Sequence, residues 1–328
     1  MDRIRRCLNN GSVSRLRFYF QIGAFALLIY GGYLAIDITN NMPTFACAFV
    51  DSRAGLCYLY PIQHGLNLAW NQFIGPRGIA LMAGLVSFFI LFALFNKSWC
   101  GFACPLGTIQ DWITKLREKL GVRYAAYNET TFRRLKVVKY ILLALVIIIP
   151  LGISNSIFGL PKFSHDMGTA YCMICPARTI LPVSVGDFSQ LAVNFSSWTT
   201  TVLTGLGMAV TGLFFTGSFV KKRFFCLFCP MSALQYAFSR MSILRLTKNG
   251  SKCTRCGNCY RVCDVGISEI ADDVTSKYIV KDDCMMCFKC VEACPEEKCL
   301  TVSLPGLPLY QSTQEGFAKR MKRRDDRG

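Results

Sequence analysis

Four long apolar stretches divide the chain: Phe18–Ile36, Gly78–Phe95, Val137–Ile153 and Trp198–Val220. About 20 apolar residues suffice to cross a bilayer core, so the pattern predicts four membrane-spanning helices. The third, VVKYILLALVIIIPLGI, is short and carries Lys139 near one end, where a long amine can snorkel to the interface. The first has the basic flank of a signal sequence. It is long for a signal core and lacks a clear small-residue cleavage site, so it reads as a retained span. Two spans are followed by LGTIQDWITKLREKL and MSALQYAFSRMSILRL. Both are amphipathic with a basic side, and both are expected to lie along the inner membrane surface. The resulting plan is a basic N-terminus (1–17), a four-span membrane domain (18–249), a cysteine-rich polar domain (250–303) and a basic tail (304–328). The tail, FAKRMKRRDDRG, reads as disordered and suited to anionic lipid.

Composition agrees with that plan. Hydrophobic residues make up 52% of the 328 residues and charged ones 17%, against roughly 25% charged in soluble domains. Disorder, collagen and a small secreted scaffold are excluded. The net charge of +17 points to lipid headgroups rather than nucleic acid, because the positive residues cluster between spans. Arg3, Arg5, Arg6, Arg15 and Arg17 precede the first span. Lys97, Lys115, Arg117, Lys119, Arg123, Arg133, Arg134 and Lys136 separate the second from the third, and Lys221, Lys222 and Arg223 follow the fourth. By the positive-inside rule both termini are cytoplasmic, and residues 37–77 and 154–197 face outward. The expected location is the inner membrane of a prokaryote.

The 18 cysteines are clustered. CTRCGNCYRVC and CMMCFKCVEACP each follow C-x2-C-x2-C-x3-C, the two-cluster ferredoxin run in which each fourth Cys serves the other cluster. One [4Fe–4S] cluster is therefore expected on Cys253, Cys256, Cys259 and Cys294. The second is expected on Cys284, Cys287, Cys290 and Cys263. Zinc would use two CxxC pairs, and disulfides do not suit a reducing compartment. Asp264 stands where Pro usually follows the fourth Cys, and Cys299 lies outside the pattern as a spare thiol. The fold class is thus an α-helical membrane protein with a small cytoplasmic α+β ferredoxin-like domain.

Three further pairs precede proline. Cys100 and Cys104 lie in CGFACP, Cys172 and Cys175 in CMICP, and Cys226 and Cys229 in CLFCP. CPLGTIQDW and CPMSALQYA form an internal repeat, and Pro after Cys suits a helix start. Cys100, Cys104, Cys226 and Cys229 form a candidate membrane-edge [4Fe–4S] site. Cys47, Cys57, Cys172 and Cys175 share the outward side, and two readings stand for them: a further cluster, or disulfides in an oxidising compartment. Sites at opposite faces would be up to about 30 Å apart. Neither of the two histidines lies on a predicted span, so no transmembrane haem is expected. His64 and His165, with Asp166, are candidate proton acceptors at a quinol site. No glycine-rich phosphate loop is present, so no nucleotide is expected. Cys7 reads as incidental.

Spans interrupted by CGFACP and CLFCP and followed by a two-cluster ferredoxin resemble the NapH/NosR/CcoG group of membrane ferredoxin-type proteins, over roughly residues 75–300. The layout is most similar to NapH. It departs in having CxxCP at Cys226 and Cys229, and in the additional CMICP with Cys47 and Cys57. The resemblance implies an electron-transfer subunit of a quinol dehydrogenase-like complex, passing electrons between the quinone pool and a redox partner protein. The alternative is an assembly or maturation factor that reduces a metal centre or thiols of another protein.

Overall fold

A computed structural model describes residues 12–35, 43–122, 129–156, 165–239, 241–280 and 283–325. Two compact units emerge. One joins Met1–Ile22, Phe92–Ala103 and Gln235–Gly328; the other joins Gly23–Leu91 and Cys104–Leu234.

The second unit is helical. Among the described residues, three helices are long and apolar enough to span a bilayer. They are α3 (Pro76–Phe95), α6 (Glu129–Ser154, apolar from Arg134) and α9 (Trp198–Val220). The first predicted stretch departs from expectation. Helix α1 (Val13–Tyr30) tightens into a 3-10 turn at Gly31–Leu34, and Ala35 is left-handed at φ 53°. The cause is a close approach: the Gly32 amide donates to the Ser52 carbonyl at 2.7 Å, and a Cβ on Gly32 would meet that oxygen at 2.8 Å. Lys139 also departs from expectation. It is wholly buried, with its ammonium 5.3 Å from the Tyr140 ring, rather than reaching an interface.

Long apolar side chains face out from the spanning helices, among them Ile79, Met82, Val86 and Ile90 on α3. Small and hydroxyl residues of α9 face in, including Thr204, Gly207, Thr211, Gly217 and Ser218. This is the reverse of a soluble helix and the pattern expected in lipid. The helix after CGFACP, α5 (Pro105–Lys119), follows the same rule. Trp112, Leu116 and Leu120, at or just past its end, are exposed. Gln110, Thr114 and Arg117 are buried, and Arg117 donates to the Phe219 and Val220 carbonyls at 2.6 and 2.7 Å. One expected surface cation therefore closes the end of α9.

The loop between α6 and α9 is not a simple outward loop. Its helices α7 (Ala170–Ile174) and α8 (Pro176–Ser184) pack on α9. A Cβ on Gly207 would collide with the Met173 carbonyl. Gly207 lies nine residues into α9, roughly 14 Å along its axis at 1.5 Å per residue. CMICP thus re-enters to mid-helix depth, which irregular backbone can do only where protein covers it. Facing it, strands β1 (Pro43–Thr44) and β2 (Leu56–Cys57) pair in parallel, and α2 (Leu59–Leu66) follows. Leu181 of α8 packs with Phe25, Ile29, Cys47 and Val50.

The first unit carries a three-stranded antiparallel sheet, ordered β3 (Arg245–Lys248), β4 (Leu300–Leu304), β5 (Leu307–Gln311). Its core joins Leu246, Ile267, Ile279, Val291 and Leu300 with seven of the eight cysteines of the ferredoxin runs, the exposed Cys256 excepted. The sheet draws strands from both sides of residues 250–303. The tail, expected to be disordered, forms the helix Gln314–Asp325. Lys319 pairs with Glu315 at 2.6 Å, and Arg320 reaches Glu292 at 3.4 Å. Residues 326–328 and Cys7 lie outside the described residues.

Candidate metal centres

The ferredoxin thiols fall into two sets. Cys253, Cys256, Cys259 and Cys294 line one pocket, together with Lys248 and Cys299. Cys263, Cys284, Cys287 and Cys290 are grouped by mutual electrostatic interaction. Each set takes its fourth cysteine from the other run. Burial pushes the thiol of Cys259 up to about 11, Cys263 to about 12 and Cys284 to about 11. The nearby cations oppose that shift: Lys248 acts on Cys259 and Lys97 on Cys284. Cys294 moves the other way, to about 7, chiefly through its hydrogen bond with Cys299. Cys299, 2% exposed, adjoins the first thiol set through Cys294. Its place outside the C-x-x-C spacing concealed this.

Among the described residues, no three His, Cys, Asp or Glu side chains converge as for a single ion. A four-iron cluster makes a different demand, since its own width separates the thiolates. Asp264, in the position usual for Pro, has a structural role. It accepts from Lys289 at 2.6 Å and from Arg17 of α1 at 3.3 Å. Arg17 also donates to the Gly101 carbonyl at 2.8 Å, and Gln21 donates to the same oxygen at 3.1 Å. Gly101 leaves no room for a side chain, because a Cβ would stand 2.5 Å from the Met285 carbonyl. The CGFACP loop is thereby seated on the second ferredoxin run.

Of the candidate membrane-edge ligands, Cys100 belongs to the unit bearing the ferredoxin runs, and Cys104, Cys226 and Cys229 belong to the helical unit. Cys104 is the N-cap of α5, with Pro105 opening the helix. It interacts electrostatically with Cys226 and with Arg223. Arg223 is 1% exposed and donates to both Asp111 oxygens, at 2.8 and 2.6 Å.

Two glutamines address this motif pair. Gln110, six residues after Cys104, accepts from the Phe225 amide at 3.0 Å and directs its Nε2 to Cys226 Sγ at 3.8 Å. Gln235, six residues after Cys229, accepts from the Cys100 thiol at 2.8 Å. Each repeat's glutamine thus reaches the first cysteine of the other. The buried Gln235 Nε2 has no partner among the described residues. Turning that amide over places an N–H on Cys100 and removes the orphaned donor. Donors aimed at sulfur suit thiolates ligating iron.

The remaining quartet also converges. Cys175 interacts electrostatically with Cys47, Cys172 and Cys57; Cys172 with Cys57 and Cys47; and Cys57 with Cys47. Cys57 further interacts with Cys104, so these two thiols of the helical unit are not a bilayer apart. Re-entry of CMICP to the middle of α9 explains the difference from the expected 30 Å. All seventeen described cysteines are free thiols. Among the quinol-site candidates, His64 lies on α2 with its ring 4.3 Å from that of Tyr60. His165 begins the 3-10 turn His165–Thr169, and the side chains of His165 and Asp166 lie outside the described residues.

A 4Fe-4S binding domain family matches residues 75–123 and 202–248, and a 4Fe-4S dicluster domain family matches residues 245–295. YccM of Escherichia coli (strain K12), which carries the name of an electron transport protein, is 28% identical over 78% of this chain and 66% of its own length. The ferredoxin-type protein NapH of the same organism is 26% identical over 68% of this chain and 67% of its own. Protein NirI of Paracoccus denitrificans is 25% identical over 67% of this chain and 28% of its own. No solved structure matches. The chain is similar to ferredoxin-type membrane electron-transport proteins over most of its length, with a divergent NapH-like layout.

Proposed function

We propose that this NapH-like chain passes electrons between the quinone pool and a redox partner protein, as the electron-transfer subunit of a quinol dehydrogenase-like complex. Two [4Fe–4S] clusters would lie in the ferredoxin-bearing unit. A further one would be ligated by Cys100, Cys104, Cys226 and Cys229. Bound clusters would supply one-electron redox chemistry. The observation that carries the reading is the seating of Gly101, next to Cys100, on Met285 and therefore on the second ferredoxin run. It supports a reading in which the first CxxxCP cysteine lies near the second ferredoxin run. Lys97 and Lys248 supply fixed positive charge to the two ferredoxin sets, and the glutamine amides orient toward the CxxCP thiols. His64 stays a candidate proton acceptor for quinol.

The reading puts both termini and the ferredoxin unit in the cytoplasm, at the inner membrane. It requires no haem, nucleotide or nucleic acid. The maturation-factor alternative, reduction of a metal centre or thiols of another protein, would, in its thiol-exchange form, need thiols that can attack that protein. Cys47 is buried among Phe25, Ile29 and Leu181, and a thiol in apolar surroundings is a poor nucleophile.

The test is anaerobic reduction of the purified, iron-loaded chain in detergent by a short-chain quinol, followed at the iron–sulfur absorbance. Bleaching by quinol supports the proposal. Bleaching by dithionite alone, at any quinol concentration, overturns quinol as donor.

A further inference from the structure

We infer that Cys47, Cys57, Cys172 and Cys175 hold an additional four-iron cluster, built on the same plan as the CGFACP/CLFCP motif pair and lying inside the helical unit. The inference deepens the proposed function and rests on its iron–sulfur reading. Neither matched 4Fe-4S region includes these four residues.

The first support is a repeated hydrogen-bond device. Gln63 lies six residues after Cys57, as Gln110 does after Cys104. Its Oε1 accepts from the Tyr171 amide at 3.1 Å, and its Nε2 donates to Cys172 Sγ at 3.0 Å. Gln110 takes the Phe225 amide and Cys226 Sγ in the same way. In both cases an aromatic residue's amide and the sulfur that follows it are gripped by one glutamine from the other half of the motif pair. Gln63 is 1% exposed and also donates to Leu59 O at 3.0 Å, so its orientation is fixed.

The second support is the backbone at the cysteines. Cys175 caps α8 at φ −65°, ψ 131°, and Cys104 caps α5 at φ −67°, ψ 118°, each with Pro opening the helix. Both helix starts turn partial positive charge toward the sulfur.

The third is convergence. All six pairings among the four thiols are electrostatic neighbours. Mutual proximity of all four thiols is what a shared cluster requires. A cation accompanies the set: Arg178 is 8% exposed, acts on Cys47, and lies over the Phe49 ring at 5.5 Å.

The position gives the site a role. Cys57 is an electrostatic neighbour of Cys104, and Tyr171 of Cys229 as well as of Cys57, Cys172 and Cys175. An electron could therefore leave the CGFACP/CLFCP region for mid-helix depth without crossing bare hydrocarbon. One electron enters and one leaves, and no atom is transferred.

The test counts iron and acid-labile sulfide per chain in protein purified without oxygen, comparing wild type with Cys47→Ser/Cys172→Ser. Four cluster sites predict about sixteen irons, and the variant should lose about four of them. The ferredoxin electron paramagnetic resonance signals should be retained. Equal iron in both proteins overturns the inference. If the variant loses all clusters through misfolding, thiol mapping of the wild type decides. Alkylation of these four cysteines only after iron is chelated supports the site. A Cys47–Cys57 or Cys172–Cys175 disulfide in the anaerobic protein overturns it. Loss of four irons in a protein that no quinol reduces would leave this site standing and remove the quinol proposal alone.

Discussion

A buried cation stands beside each of the four thiol sets: Lys248 by Cys259, Lys97 by Cys284, Arg223 by Cys104 and Arg178 by Cys47. Arg223 is fixed by Asp111, Lys248 by the Ile270, Ala271 and Asp273 carbonyls, and Arg178 by Gln190, so their positive charge is held in place near the sulfurs and suits sites that carry negative charge when loaded. The glutamines act on the same sulfurs by a weaker route. A hydrogen bond is worth about 1 kcal/mol net, which for one electron is roughly 40 mV. Donation to sulfur favours the reduced, more negative cluster. Gln110→Leu should therefore lower the potential of the cluster proposed at Cys226 by about 40 mV, with unchanged iron content. A redox titration followed by electron paramagnetic resonance reads it. A potential that does not move would show that Gln110 serves only the Phe225 amide.

Two elements are held in place by contacts that leave no slack. Helix α1 is tied to the ferredoxin runs through Arg17, Asp264 and Lys289, with Arg17 and Asp264 both nearly fully buried. Restoring the usual residue by Asp264→Pro would remove the carboxylate that Arg17 and Lys289 share. Removing one partner of a buried pair costs about 3–5 kcal/mol, so the thermal midpoint for loss of iron–sulfur absorbance should fall by several degrees. An unchanged midpoint would mean that the pair contributes nothing net. At α9, Gly207→Leu should push CMICP off the helix through the Met173 carbonyl. It should lower iron per chain by about four while sparing the ferredoxin signals, and full iron retention would sink that account. The two ferredoxin thiol sets could be proposed from the sequence because all eight thiols lie within two short runs of fixed spacing. The depth of CMICP was not, because hydropathy assigns any polar loop between spans to water, and only the Gly207 approach reveals re-entry. Gln63 could have been found from its spacing after Cys57, but no Pro follows Cys57, so the repeat did not show.

For the whole molecule, charge and apolar surface have to agree on one orientation. The outward faces of α3 and α9 are apolar, and α5 exposes Trp112, Leu116 and Leu120 next to the basic residues Lys115 and Lys119. A helix with that division settles at a headgroup layer, where its cations meet anionic lipid. The loop from Lys97 to Lys136 carries eight Lys and Arg, whereas the segment from 154 to 197 carries only Lys162 and Arg178. Arg178 is buried beside Cys47, so it contributes little to orientation at the surface. Positive charge therefore favours the cytoplasm for α5 and for the ferredoxin unit that follows Lys221, Lys222 and Arg223. Alkaline phosphatase, active only outside the cytoplasm, should be inactive when fused after Val122 or at Gly328 and active when fused after Ser196. The reverse pattern would place the ferredoxin thiols in an oxidising compartment, where eight free cysteines would be lost to disulfides, and the cytoplasmic electron route would fall with it.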